Sequence, residues 1–221
     1  QLVKLNESGK PVEFCVAKQN YERGLNGAGL VLLVRKDVYQ NGQWDSENIN
    51  NYAESTILNW SGNTYRLLLD PWVYSSTGIV STSIRVTNGS KVVETRRCLV
   101  FQLSLKELGL SNNDANIEGS TLPISSTLKI ANYQGSPASQ WTRTPNKYSN
   151  TNAFSVNSSG LPNNGNCTFS TGYRPCFCLK SNVYVADDGT LSEPIPVPKS
   201  ITVPPNAMQG QPINVSWESA S

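Results

Sequence analysis

Along much of the chain apolar and polar residues alternate with a period of two, the signature of strands with one buried face. Val3 and Leu5 lead into Glu7-Ser8-Gly9-Lys10, and Val12, Phe14 and Val16 resume the alternation, which predicts an opening hairpin. Residues 30–34 follow a loop holding Gly24, Gly27 and Gly29. They are apolar throughout, so they read as a central strand covered on both faces. Residues 79–86 alternate again, Asn88-Gly89 supplies a turn, and Val92-Val93 resumes the strand. Residues 98–103, 141–145, 153–157 and 172–179 complete the strands, with Pro175 confining the last to an edge or a bulge.

Two segments break this period. Residues 50–60 place Ala53, Ile57 and Trp60 on one stripe of a helix, with Gly62 positioned to end it. A second short helix is expected over residues 64–74, interrupted at Pro71. Ser104 and Glu107 have capping-box spacing and predict a single helical turn. The sum is an α+β domain over residues 1–190, with short mixed β-sheets, two main helices and long loops. Pro194, Pro196, Pro198, Pro204 and Pro205 mark an extended linker over residues 191–205. Residues 206–221 read as the start of a partial immunoglobulin- or fibronectin-like segment, whose strand around Ile213, Val215 and Trp217 lacks partners.

Composition narrows the chemistry. The formal net charge is +2 with Lys and Arg scattered, which argues against a nucleic-acid partner. No leader pattern or apolar run of spanning length occurs, so membrane insertion is not expected and synthesis inside the cell is. Histidine is absent, which removes Ser-His-Asp and Cys-His catalysis and histidine-based zinc sites. The five cysteines show no zinc spacing. Cys176 and Cys178 share a strand face, where an intrastrand disulfide fits poorly, so reduced and buried thiols are expected. Cys167, in a polar loop, is the one candidate nucleophile, with no His to activate it and Arg174 and Lys147 as the cations considered near it. Asp187-Asp188-Gly189 and Asn112-Asn113-Asp114 lack the interleaved spacing of a calcium loop and read as turns. No metal and no cofactor is expected.

A longer pattern then emerges. It runs from Val31-Leu32-Leu33-Val34-Arg35-Lys36-Asp37-Val38-Tyr39 through Trp44 and Tyr52-Ala53-Glu54-Ser55-Thr56-Ile57 to Val100-Phe101-Gln102-Leu103-Ser104 and Glu107-Leu108-Gly109. It continues with Trp141-Thr142-Arg143-Thr144-Pro145, Gly172-Tyr173-Arg174-Pro175 and Tyr184-Val185-Ala186-Asp187-Asp188-Gly189. This order resembles a domain of phage and prophage tail-associated proteins of Firmicutes, often joined to immunoglobulin-like modules. The W-x-R-[ST]-P and G-x-R-P pair also resembles the C-type-lectin-like variable proteins of diversity-generating retroelements, and more distantly the formylglycine-generating enzymes.

The resemblance implies a C-type-lectin-like fold that displays ligand-binding residues between the two motifs. Carried onto this chain, those are Asn146, Tyr148, Asn150, Asn152, Asn157, Asn163, Asn164, Asn166, Phe169 and Tyr173, with Trp141, Arg143, Gly172, Arg174 and Pro175 as scaffold. A rigid aromatic such as Tyr148 suits a contact role at low entropic cost, whereas Phe154 alternates with Val156 and suits the core. The expected function is non-enzymatic recognition of a host cell-surface glycan or protein by a tail fibre or baseplate component. Other tail subunits, or further copies of this chain, are expected neighbours. The module would be made in the bacterial cytoplasm and carried on the virion tail. The competing readings are a structural tail connector without a host ligand and an oxidase of the formylglycine-generating type.

Overall fold

The computed structural model describes residues 1–75 and 78–193, and the backbone of Ser200–Thr202 and Ser216–Glu218. In chain order, the strands begin with β1 (Leu2–Glu7) and β2 (Lys10–Gln19). The short helix α1 (Arg23–Asn26) precedes β3 (Leu30–Arg35) and β4 (Gln40–Gln43). Then come α2 (Thr56–Asn63), α3 (Pro71–Tyr74), the hairpin of β5 (Thr82–Thr87) and β6 (Val93–Cys98), and β7 (Val100–Phe101). The one-turn helix α4 (Ser125–Leu128) leads to β8 (Ala131–Tyr133) and β9 (Ser136–Ala138). Five strands follow: β10 (Gln140–Pro145), β11 (Asn152–Val156), β12 (Pro162–Asn166), β13 (Ser170–Tyr173) and β14 (Cys176–Lys180).

Two five-stranded sheets organise these elements. The first has the order β1-β2-β3-β14-β7 and is antiparallel throughout. The second has the order β12-β11-β10-β13-β4, with one parallel pairing between β10 and β13. In the opening hairpin Ser8 and Gly9 both have positive φ, the geometry whose twist suits a two-residue connection, and Leu5 pairs with Val12.

The centre of the first sheet is covered on both faces. Leu32, Val34, Cys176 and Cys178 enter one apolar cluster, shared with Phe154 and Val156 of the second sheet and Ile57 of α2. Leu33, Phe177 and Leu179 point the other way, into a second cluster with Val3, Phe14 and Tyr65. Phe14 meets Phe177 edge-on at 5.5 Å. Each fully buried aromatic of this kind stabilises the fold by roughly 1.5–3 kcal/mol. All five cysteines are buried and unpaired.

The α+β expectation with two main helices is corrected here. Among the described residues, strand accounts for 42% and helix for 14%, the strands being spread over several small sheets. The longest helix, α2, has eight residues. It starts late because Asn50 takes φ 44°, outside helical geometry, and Asn51 caps a separate 3₁₀ turn at Tyr52–Glu54. Ser55 then caps α2 by accepting from the Leu58 amide at 3.3 Å. The expected second helix resolves into a 3₁₀ turn at Tyr65–Leu68 and the single turn α3, separated by extended backbone before Pro71.

The expected strand over residues 172–179 is likewise two strands in different sheets. The chain crosses at Arg174 and Pro175: the Arg174 side chain turns inward, and Pro175 has no N–H to give to a ladder. The capping box at Ser104 and Glu107 forms in both directions, at 2.9 and 3.1 Å, yet closes a turn without starting a helix.

Near the C-terminus, Tyr184–Val185 pairs with Leu191–Ser192, and Leu191 is buried against the first sheet. Ser216–Glu218, expected to lack partners, pairs antiparallel with Ser200–Thr202. The rest of the expected linker and sandwich segment, residues 194–199, 203–215 and 219–221, lies outside the described residues.

Candidate functional site

The two tryptophan- and glycine-containing motifs sit on neighbouring parallel strands. Gln140, which precedes Trp141, pairs with Gly172 across β10 and β13. A Cβ at Gly172 would lie 2.5 Å from the Ser139 carbonyl and 2.8 Å from Val38, so only glycine lets these strands approach. Trp141 is buried, and its indole N–H donates to the Gly42 carbonyl on β4 at 3.0 Å. Motif residues therefore bind the second sheet together.

Beyond Trp141 the β10–β11 register breaks; Thr142 still donates to the Phe154 carbonyl, while Arg143 and Thr144 turn toward residues 103–118. The Arg143 guanidinium is fully buried. It donates to both Glu107 carboxylate oxygens and to the carbonyls of Arg85, Gln102 and Glu118. Burial opposes its charge, but Glu107 outweighs that and raises its pKa. The Tyr21 hydroxyl also donates to Glu107. Glu118 lies 4.0 Å from Arg143 and accepts from the Thr87 amide and the Thr144 hydroxyl, while burial raises its carboxyl.

Arg174 is buried differently. Its fork donates to the carbonyls of Arg35, Leu128 and Lys36 and to the Gln140 side-chain oxygen, and burial lowers its pKa to about 10. It stays charged at neutral pH and stitches the two sheets and α4 through neutral acceptors. Pro175 is buried, and its carbonyl accepts from the Arg35 amide. Trp141, Arg143, Gly172, Arg174 and Pro175 are all internal.

The residues between the motifs separate into three environments. Tyr148, Asn150, Asn163, Asn164 and Phe169 are exposed, Tyr148 at 77% and Phe169 at 62%. Asn152, Asn157 and Asn166 are half-buried and use their side-chain oxygens locally. Asn157 accepts from the Ser159 and Leu161 amides, and Asn166 from the Thr168 amide and hydroxyl. Asn146 and Tyr173, expected as contacts, are buried. Asn146 accepts from the Tyr148 and Ser149 amides. Tyr173 donates to the Gln43 carbonyl and packs 4.7 Å from Trp60, and burial raises its phenol to about 12.

Topology further divides the exposed group. The β10–β11 loop with Tyr148, the β12–β13 loop with Phe169 and the loop after β4 gather into one loop end, where the Cys167 amide donates to the Thr151 carbonyl and the Asp45 amide to the Cys167 carbonyl. The Asn157 turn lies at the opposite end, and Asn163 and Asn164 lie along the edge strand β12.

At the first end the loops are tied together from below. The Asn50 side-chain amide donates to the carbonyls of Asn146, Ser149 and Asn152 at 3.0, 2.6 and 2.8 Å. Lys91 donates to the Asn50 side-chain oxygen, and Asn116 to the Lys91 carbonyl. The Lys147 amide donates to the Asp114 carbonyl. The segments so joined carry the exposed side chains Ile49, Val92, Ile117 and Tyr148, with the Lys147 ammonium 4.9 Å above the Tyr148 ring. Ile49, Asn50, Lys91, Val92 and Ile117 are not identifiable from sequence as residues of this surface, because nothing in their local pattern announces residues 50 and 146 as neighbours.

Cys167 lies beneath this end but is fully buried. Burial foremost, with the Asp45 charge adding to it, raises its thiol to about 12, leaving almost no thiolate at neutral pH. Among the described residues no cluster of three His, Cys, Asp or Glu could hold a metal, and no helix is long and apolar enough to cross a membrane.

Fold and site define a β-rich domain whose two sheets are locked by internal arginines and whose loops gather at one end of the second sheet. The chain belongs to the family described as domain of unknown function DUF6273, whose model matches residues 28–181. The match opens just before β3 and closes just after β14, so it takes in the whole second sheet, while β1 and β2 lie outside it. No curated protein and no solved structure matches the chain.

Proposed function

We propose that this chain is a non-catalytic recognition module that binds a protein on a host cell surface through the loop end of its second sheet. The observation that carries this reading is the pairing of exposed apolar side chains with a fixed base. Tyr148 and Phe169 stand in solvent on loops whose backbones are held by the Asn50 and Asn166 side chains. Such a surface loses little conformational entropy on binding. Ile49, Val92 and Ile117 add aliphatic area that suits an apolar protein surface better than a sugar ring, which stacks on aromatic faces. A tail-borne setting, in a phage or prophage particle, rests on the motif resemblance alone.

The test is binding of the fluorescently labelled, multimerised chain to a panel of Firmicutes cells, beside a Tyr148→Ala/Phe169→Ala variant whose folding is checked by circular dichroism. Saturable binding that the variant loses, and that protease treatment of the cells abolishes, supports the proposal. Binding removed by periodate but not by protease replaces the protein receptor with a glycan. No binding across the panel, or equal binding by the variant, favours a structural connector.

A further inference from the structure

A groove of about 550 Å³ opens between α2, the Tyr65–Leu68 turn and β6, lined by none of the residues of the Tyr148 loop surface. Arg66, Arg96 and Arg97 all line it, with Glu54 as its one carboxylate. Elsewhere this chain pairs its partly or fully buried arginines closely: Arg35 with Glu7, Arg143 with Glu107, and Arg174 with four oxygens. Here, among the described residues, none of the three guanidiniums forms an ion pair. The Nε of Arg66 is buried without a hydrogen-bond partner. Arg97 reaches only a backbone oxygen, that of Ser81 at 3.2 Å, and Arg96 reaches the Cys98 thiol.

We infer that this groove binds the oxyanion group, phosphate or carboxylate, of a small organic ligand. Three arginines line one space, and guanidinium forks match planar or tetrahedral oxyanions, which accept paired N–H donors. With three cations against Glu54, the lining carries a net +2, equal to the formal charge of the whole chain, so the groove concentrates positive charge that is dispersed elsewhere. Its volume exceeds what one inorganic anion needs and falls in the range of small-molecule sites. Leu58 and Leu99 provide apolar wall for the body of the ligand, and Asn59 and Asn63, whose side chains hydrogen-bond to each other, add amide groups to the lining.

The experiment is calorimetric titration of the full chain with inorganic phosphate, a sugar phosphate and a sugar carboxylate, at two salt concentrations. The Arg66→Gln, Arg96→Gln and Arg97→Gln variants are compared with Arg23→Gln, an exposed arginine outside the groove. The expected result is saturable binding of at least one organic anion, more tightly than of inorganic phosphate. Each groove variant weakens it roughly tenfold, the equivalent of one charged hydrogen bond, and Arg23→Gln leaves it unchanged. Arg66→Lys guards against a folding artefact: it keeps the charge, and it should melt like the parent yet bind more weakly because the fork is lost. Preference between the phosphate and the carboxylate identifies the ligand class. Absence of saturable binding, or equal weakening by Arg23→Gln, overturns the inference.

Discussion

Arg143 and Glu107, 36 residues apart in sequence, share two hydrogen bonds of 2.6 and 3.1 Å with both side chains sealed from solvent. A buried pair of this kind costs desolvation that its own attraction roughly offsets, so its removal as a pair differs greatly from breaking it. Arg143→Met should destabilise the fold by about 3–5 kcal/mol, because the carboxylates of Glu107 and Glu118 lose their cation inside the protein. The double variant Arg143→Met/Glu107→Leu should recover a substantial part of that loss. Urea unfolding of the four members of the cycle measures the coupling; strictly additive effects would contradict it.

Gly172 offers a sterically defined prediction. A methyl group there meets the Ser139 carbonyl at 2.5 Å and Val38 at 2.8 Å, on the strand that joins the two motifs. Neither obstacle is the end of a long flexible side chain. Gly172→Ala should therefore part β10 from β13 and cost about 1–3 kcal/mol, the usual range for overpacking. Gly135, in the exposed β8–β9 turn with φ 85° and open space around it, is a control that costs only its backbone preference. Thermal melts of Gly172→Ala and Gly135→Ala should differ, with the first lower.

The strands were far more legible than the site. Hydrophobic alternation marks the opening hairpin and an unbroken apolar run marks β3, whereas β14, expected at an edge or bulge because of Pro175, lies between β3 and β7. The helix expected over residues 50–60 forms only from Thr56, because periodicity cannot register a positive φ at Asn50. The polar stretch points Tyr148 outward but conceals the buried role of Asn146 beside it. What separates them is Asn50, brought from nearly a hundred residues away. Exposed aromatics in this segment could be listed from sequence, but the tether that fixes them comes only from tertiary contact.

Alkaline pH should weaken the fold through buried acids. Burial raises the thiols of Cys167 and Cys178 from 9.0, and the phenol of Tyr173 from 10.0, each to about 12. Between the ordinary and the raised value the unfolded chain releases protons that the folded chain retains. Stability therefore falls as pH rises through that window, by up to about 1.4 kcal/mol per pH unit for each such group. Melting temperatures should decline above about pH 9 and more gently in Cys167→Ala than in the parent, once each is referred to its own neutral-pH value. The same burial predicts that a thiol reagent at neutral pH finds no rapidly reacting cysteine in the native protein and all five after denaturation.

Asn50 links stability to the proposed binding surface. Its amide donates to three carbonyls of the Tyr148 loop, and its backbone sits at φ 44°, a conformation that asparagine tolerates better than most residues. Asn50→Ala should lose both features and cost about 2–3 kcal/mol, the sum of an unmet set of buried acceptors and a strained backbone. Asn50→Gly separates them, because glycine accepts the backbone but supplies no amide. Hydrogen exchange at residues 146–152 should rise in both variants, while global stability falls further for alanine. If the loop recognises its partner as a preformed surface, both variants should also weaken cell binding although Tyr148 and Phe169 are untouched. Unchanged exchange at residues 146–152 in Asn50→Gly would mean that the loop holds its own shape, and that the amide tether contributes nothing to the recognition surface.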